Sequence, residues 1–136
     1  MLEHFVVAQE PVYETVRSEL RAGRKRTHWM WFIFPQLTEL GRSATALRFG
    51  IADLEEARAY LVHPVLGARL IECTEIVGAV SGRSAHAIFG SPDDLKLRSS
   101  MTLFAHAAAD AAPFRRVLER YYDGEEDAVT VGLIGR

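Results

Sequence analysis

Cysteine is nearly missing from this 136-residue chain: Cys73 stands alone. A single thiol closes no internal disulfide, and a small chain that dispenses with disulfides suits a reducing compartment, so the cytoplasm is the expected setting. Long apolar runs are missing too. No stretch approaches the roughly 20 apolar residues that span a bilayer, and Met1 to Glu10 lacks a basic region followed by an apolar one, so neither membrane insertion nor export is expected. Nor is there a surplus of either charge. Sixteen Lys and Arg face 18 Asp and Glu, a formal net charge of -2. That excludes a whole-surface nucleic-acid binder, because affinity for phosphate backbones rests on excess cations. Repeats and low-complexity tracts are absent, which sets aside solenoids and linkers. A glycine-rich phosphate loop is absent as well, since Gly23-Arg24-Lys25 is too short for one, and no cofactor is expected. The histidines His4, His28, His63, His86 and His106 are scattered, none spaced to pair with another or with Cys73 on one helical face, so no metal site is expected.

What the chain does have is apolar residues at helical spacing. Hydrophobic residues make up 49 % of it, enough at this length for one domain with its own core. Pro11 suits a first helical turn, and Val12, Val16 and Leu20 recur until Gly23, predicting a helix from Pro11 to Ala22. The continuous apolar block Trp29 to Phe34 fits either a short strand or a buried helical turn, with helix preferred. Ser43 caps a short helix running to Phe49, and Asp53 with Glu56 forms a capping-box pattern for a helix ending at His63. Pro64 opens the next, with Leu66, Leu70, Cys73, Val77 and Val80 on one stripe. Ser91-Pro92-Asp93-Asp94 reads as N-cap, proline at the first position and an acidic first turn, ahead of Leu97, Met101, Phe104 and Ala108. Phe114, Val117, Leu118 and Tyr121 mark a last long helix closed by Gly124, and a short one follows from Asp127. No hairpin signal occurs. The expected fold is all-α, a single domain over residues 1–136 built from six to eight short helices.

Several phrases resemble one family. They are Phe5-Val6-Val7-Ala8-Gln9, His28-Trp29-Met30-Trp31-Phe32-Ile33-Phe34-Pro35-Gln36, Tyr60-Leu61-Val62-His63-Pro64, and Asp94-Leu95-Lys96-Leu97-Arg98-Ser99-Ser100-Met101. Together they are similar to the domain-of-unknown-function family DUF1810, over about residues 5–133. The resemblance implies a small, mostly helical bacterial protein and carries no catalytic residues with it. A shorter likeness, in Glu56-Ala57 and the stretch Asp93 to Met101, is to motifs of the NADAR family, N-glycosidases linked to ADP-ribose chemistry. It implies Glu56 as an acid or base.

Three constellations could carry chemistry. Lys25, His28, Trp29, Trp31 and Gln36 set a cation, an imidazole and an amide beside indoles able to stack on a flat ring. The plainer reading makes the aromatics core and the polar residues ties for backbone groups. Lys96, Ser99 and Ser100 share one helical face with Thr102 beside it, an arrangement that could hold an anion. The plainer reading pairs Lys96 with Asp93 and bonds the hydroxyls into their own helix. His63-Pro64 at a helix start offers free N–H groups to an anion, or simply a cap. Gln9 is either an amide that reads a ligand or a junction residue, and Ser43 adds a hydroxyl.

The reading placed first is a pocket for a small anionic or nucleotide-like ligand, with or without catalysis. Gln9, Lys25, His28, Trp29, Trp31, Gln36, Ser43, His63, Lys96, Ser99 and Thr102 are its candidate lining, and His28, His63, Glu56 and Lys96 its candidate acids and bases. Two alternatives stand beside it. One is a nucleic-acid module built on Arg17, Arg21, Arg24, Lys25 and Arg26. The other is a non-catalytic scaffold or oligomerisation domain, the oligomeric state being left open.

Overall fold

Side-chain capping decides where several helices begin. In the computed structural model, which describes residues 2–135, Ser43 accepts from the Ala46 N–H at 3.1 Å and starts α4, Ala44–Arg48. Asp53 accepts from Glu56 N–H at 2.8 Å and starts α5, Leu54–Val62, while the Glu56 carboxylate reaches back to the Ala52 N–H at 2.9 Å. Asp127 does the same for α10, Ala128–Ile134. Each satisfies N–H groups that the first helical turn leaves without partners. The others are α1, Glu3–Gln9; α2, Tyr13–Arg21; α3, Met30–Ile33; α6, Leu66–Ala79; α7, Ala85–Phe89; α8, Asp93–Ala107; and α9, Ala112–Tyr122. A single 3₁₀ turn spans Thr38–Leu40. The described residues contain no strand, only an isolated bridge in which the Thr38 N–H reaches Ile51 O and the Ile51 N–H reaches Gln36 O, both at 2.9 Å.

The ten helices among the described residues exceed the six to eight expected, because α1 and α7 are too short to show a periodic stripe, although Ser84 caps α7 by accepting from the Ala87 N–H at 3.0 Å. The block at Trp29 is helical, but only over the four residues of α3. Three boundaries also move. The helix expected from Pro11, α2, begins at Tyr13, since Val12 supplies its first helical carbonyl, to Val16 N–H at 2.9 Å. Pro92, across a cis bond from Ser91, supplies the carbonyl that Leu95 and Lys96 N–H groups reach at 3.0 and 3.2 Å. Pro92 therefore occupies the cap position of α8, and Ser91 falls one residue too early to act as cap. Likewise α6 starts at Leu66, after Pro64, because the His63 ring nitrogen Nδ1 takes up the Val65 and Leu66 N–H groups, each at 3.2 Å.

Helix α8 is the axis. It buries nine residues from Leu97 to Ala107 and packs against α5, α7, α9 and α10, as an element covered on most sides must. A line of rings runs through the centre: Phe5 edge-on to Tyr60 at 5.2 Å, Tyr60 to Phe104 at 5.4 Å, Phe104 to Phe114 at 6.0 Å. A second group, Trp29, Phe34 and Phe89, closes the end of the core nearest the start of α8. No helix among the described residues is long and apolar enough to cross a membrane.

The α5–α6 junction is closed by a missing side chain. A Cβ on Gly67 would stand 2.0 Å from the Leu61 carbonyl oxygen, a backbone atom that cannot swing aside. Overpacking of this kind costs about 1–3 kcal/mol where side chains can yield, so Gly67→Ala is expected to lose at least about 2 kcal/mol in urea unfolding.

Candidate functional site

Glu19 is the unexpected organiser of the loop between α2 and α3. It is a buried carboxylate on α2 between the half-buried Arg17 and the exposed Arg21. Its Oε1 accepts from the Arg26 N–H at 2.9 Å, the Thr27 N–H at 3.2 Å and the Trp29 indole N–H at 2.9 Å, while Oε2 accepts from the Thr27 hydroxyl at 2.8 Å. Burial alone would raise its pKa, but these four bonds outweigh that and hold the carboxyl below its ordinary value of 4.5. Trp29 is thereby fixed in the core with no face open to a ligand.

The same loop delivers Lys25, whose N–H donates to Ile88 O at 2.7 Å and whose ammonium lies 2.9 Å from Asp93 Oδ2. Lys96, one turn into α8, meets the other oxygen, Oδ1, at 3.4 Å. Each ammonium sits over an indole, Lys25 over Trp29 at 5.2 Å and Lys96 over Trp31 at 4.7 Å. The two cations are not equivalent. The Lys25 side chain is 7 % exposed and Lys96 23 %. A nearly desolvated cation must be paired, whereas one that solvent reaches at a longer separation is held weakly.

Lys96 opens onto a groove of about 240 Å³ lined by Gln36, Leu40, Pro92, Leu95, Lys96, Ser99, Asp127 and Val129. Its polar floor joins the beginning of α8 to that of α10. The Ser99 hydroxyl bonds to Leu95 O at 3.3 Å and to Asp127 Oδ2 at 3.2 Å, and the Thr102 hydroxyl accepts from Asp127 N–H at 2.9 Å while donating to Arg98 O at 2.8 Å. Its lips are apolar: Leu95 and Val129 are each 58 % exposed.

Lys25, Trp31, Gln36, Lys96, Ser99 and Thr102 thus come together in or behind one groove. The remaining candidates lie elsewhere. Gln9 is buried with its amide consumed, donating to Phe32 O at 2.7 Å and Tyr60 Oη at 3.1 Å and accepting from Arg69 at 3.3 Å. Ser43 and His63 act as helix caps. Glu56 completes the start of α5, and His28 is exposed with no hydrogen bond among the described residues. Of the basic run, Arg17 is paired with Glu14 and Glu72, and Lys25 with Asp93. Arg21, Arg24 and Arg26 remain without ion pairs among the described residues. No three His, Cys, Asp or Glu side chains among the described residues are grouped to hold a metal. Reading the sequence missed Glu19 and Asp127 as site builders. For Asp127 a signal existed, since an aspartate at the expected start of a helix is a capping residue, and it accepts from both the N–H and the hydroxyl of Thr130.

The fold is that of an all-helical domain. The DUF1810 family model, described as a protein of unknown function, matches residues 1–134, and the chain belongs to that family. Among solved structures it is similar to the conserved hypothetical protein Rv1873 from Mycobacterium tuberculosis. The two share 59 % identity and a TM-score of 0.98, over 99 % of this chain and 96 % of that one. No curated protein matches the chain.

Because the folded pKa of Glu19 is depressed, its contribution is full above pH 4.5 and drains away as the pH falls through the lowered folded value. Glu19→Gln is therefore expected to cost about 2 kcal/mol at pH 7 in denaturant unfolding, and the gap from wild type should narrow by pH 3.

Proposed function

We propose that the groove beside Lys96 binds a small ligand carrying one anionic group and a flat or apolar body, a nucleotide-like molecule, in a cytoplasmic protein. The observation that carries this reading is the division of labour at Asp93. The buried Lys25 neutralises that carboxylate at 2.9 Å, so Lys96, at 3.4 Å, keeps an ammonium available to an incoming anion. Leu95 and Val129 offer the apolar contact, and Gln36 and Ser99 the orienting hydrogen bonds. At about 240 Å³ the groove falls below the roughly 300 Å³ at which pockets begin to enclose drug-sized molecules, which favours a single nucleotide or smaller over a dinucleotide. His28, His63 and Glu56 do not line it, so the reading is one of binding. A lone Cys73, buried and with its thiol pushed up to about 12 by burial, agrees with a reducing compartment and takes no part.

A nucleic-acid interface at the end of α2 retains only Arg21, Arg24 and Arg26, too few for the steep salt dependence that phosphate neutralisation brings.

Thermal unfolding against nucleotides, ADP-ribose, nicotinamide cofactors, sugar phosphates and simple anions tests the proposal. A ligand at a hundredfold excess over its Kd adds about 2.7 kcal/mol. Lys96→Ala should abolish that gain while leaving the unliganded melting point within about 2 °C of wild type, since an ion pair that solvent reaches, at 3.4 Å, contributes little. A panel that moves nothing, or a shift that survives Lys96→Ala, removes the groove from consideration.

A further inference from the structure

Asp127 places a second demand on whatever occupies the groove, and the argument rests on the ligand-binding reading above. Counted by charge, the site holds two cations, Lys25 and Lys96, and two carboxylates, Asp93 and Asp127. They cancel, so a bare anion gains contact with Lys96 only against the repulsion of a carboxylate lining the same groove. A molecule that satisfies both must present hydrogen-bond donors to Asp127. The acceptor there is half used: Ser99 Oγ, Thr130 N and Thr130 Oγ1 all bond to Oδ2, at 3.2, 3.1 and 2.6 Å, and Oδ1 has no hydrogen bond among the described residues. Across the groove the Gln36 side-chain amide is likewise without one. An ammonium donor would sit in the field of Lys96, whereas hydroxyls carry no charge to be repelled. Two separate open acceptors, Asp127 Oδ1 and the Gln36 amide oxygen, suit two neighbouring hydroxyls. Lys96 and Ser99, which mark the two ends of the polar floor, stand three residues apart on α8, a rise of about 4.5 Å.

We propose that the ligand carries a vicinal diol of the ribose type, one hydroxyl donating to Asp127 Oδ1 and its neighbour to the Gln36 amide oxygen, while its anionic group rests against Lys96. A hydrogen bond to a charged acceptor is the strong kind, and removing a donor so that the carboxylate is left dry in the groove is the costly kind.

Calorimetric titration of the intact protein with adenosine 5′-monophosphate, its 2′,3′-dideoxy counterpart, ribose 5-phosphate and inorganic phosphate tests this. Asparagine caps a helix as well as aspartate does, so Asp127→Asn keeps the start of α10, which its melting point verifies. The expected result is binding of the two ribose compounds, at least about tenfold weaker binding of the dideoxy nucleotide, and none of inorganic phosphate. Asp127→Asn should weaken adenosine 5′-monophosphate by about tenfold and leave the dideoxy compound no weaker, since neutralising the carboxylate only relieves its repulsion of the phosphate. Equal affinity for the ribose and dideoxy nucleotides, or indifference to Asp127→Asn, overturns the diol while leaving an anion-binding groove in place. If no compound binds, the groove itself is not a ligand site, and the diol falls with it.

Discussion

Asp93 stands between two ammonium groups, and what the nearby surface can do follows from how it divides itself between them. An isolated lysine as covered as Lys25 would be intolerable, and Asp93 makes it tolerable. The pair in turn joins the α2–α3 loop to the first turn of α8, where an acidic residue also complements the helix dipole. Trp29 and Trp31 supply the faces over which the two cations lie. Remove the pairing and three elements lose their common point: the loop, the opening of α8 and the aromatic block.

The contact between α2 and α6 shows what the same residue types do when they serve only structure. There Tyr13 donates to Glu72 at 2.5 Å, its ring lies under the guanidinium of Arg69, and Arg69 reaches Glu10 and Gln9. Burial and the bond to Glu72 push the Tyr13 hydroxyl up, so it stays protonated and donating. Polar groups there close on one another. In the groove they leave Lys96 loosely held and Asp127 half engaged, and that difference separates a strut from a site.

Much of the fold was legible in the sequence because its signals are local. Ser43, Asp53 and Asp127 cap helices through contacts three residues ahead, and the stripes Leu66-Leu70-Cys73-Val77 and Leu97-Met101-Phe104 are buried as their spacing requires. Short α1 and α7 carry too few turns to leave a stripe, and the local signals that bound α7, the Ser84 cap and Gly90, enclose only five residues. The site was legible in pieces. The pairing of Lys96 with Asp93 one turn earlier could be read from their spacing on one helix, but that of Lys25 with the same carboxylate spans about half the chain, and nothing in the spacing predicts it. Glu19 was hidden for a different reason: amid Arg17 and Arg21 it reads as part of a solvated charged face, and only the turn of the chain at Gly23 folds four donors onto it.

The measurement that bears most directly on this account is a pair of double-mutant cycles in denaturant unfolding, coupling Asp93 to Lys25 and Asp93 to Lys96 through Asp93→Asn and the two Lys→Met changes. The account predicts a coupling of about 2 kcal/mol with Lys25 and no more than about 0.5 kcal/mol with Lys96. Equal couplings, or a larger one with Lys96, would mean that Asp93 holds Lys96 as firmly as it holds Lys25. The groove would then have no cation to offer.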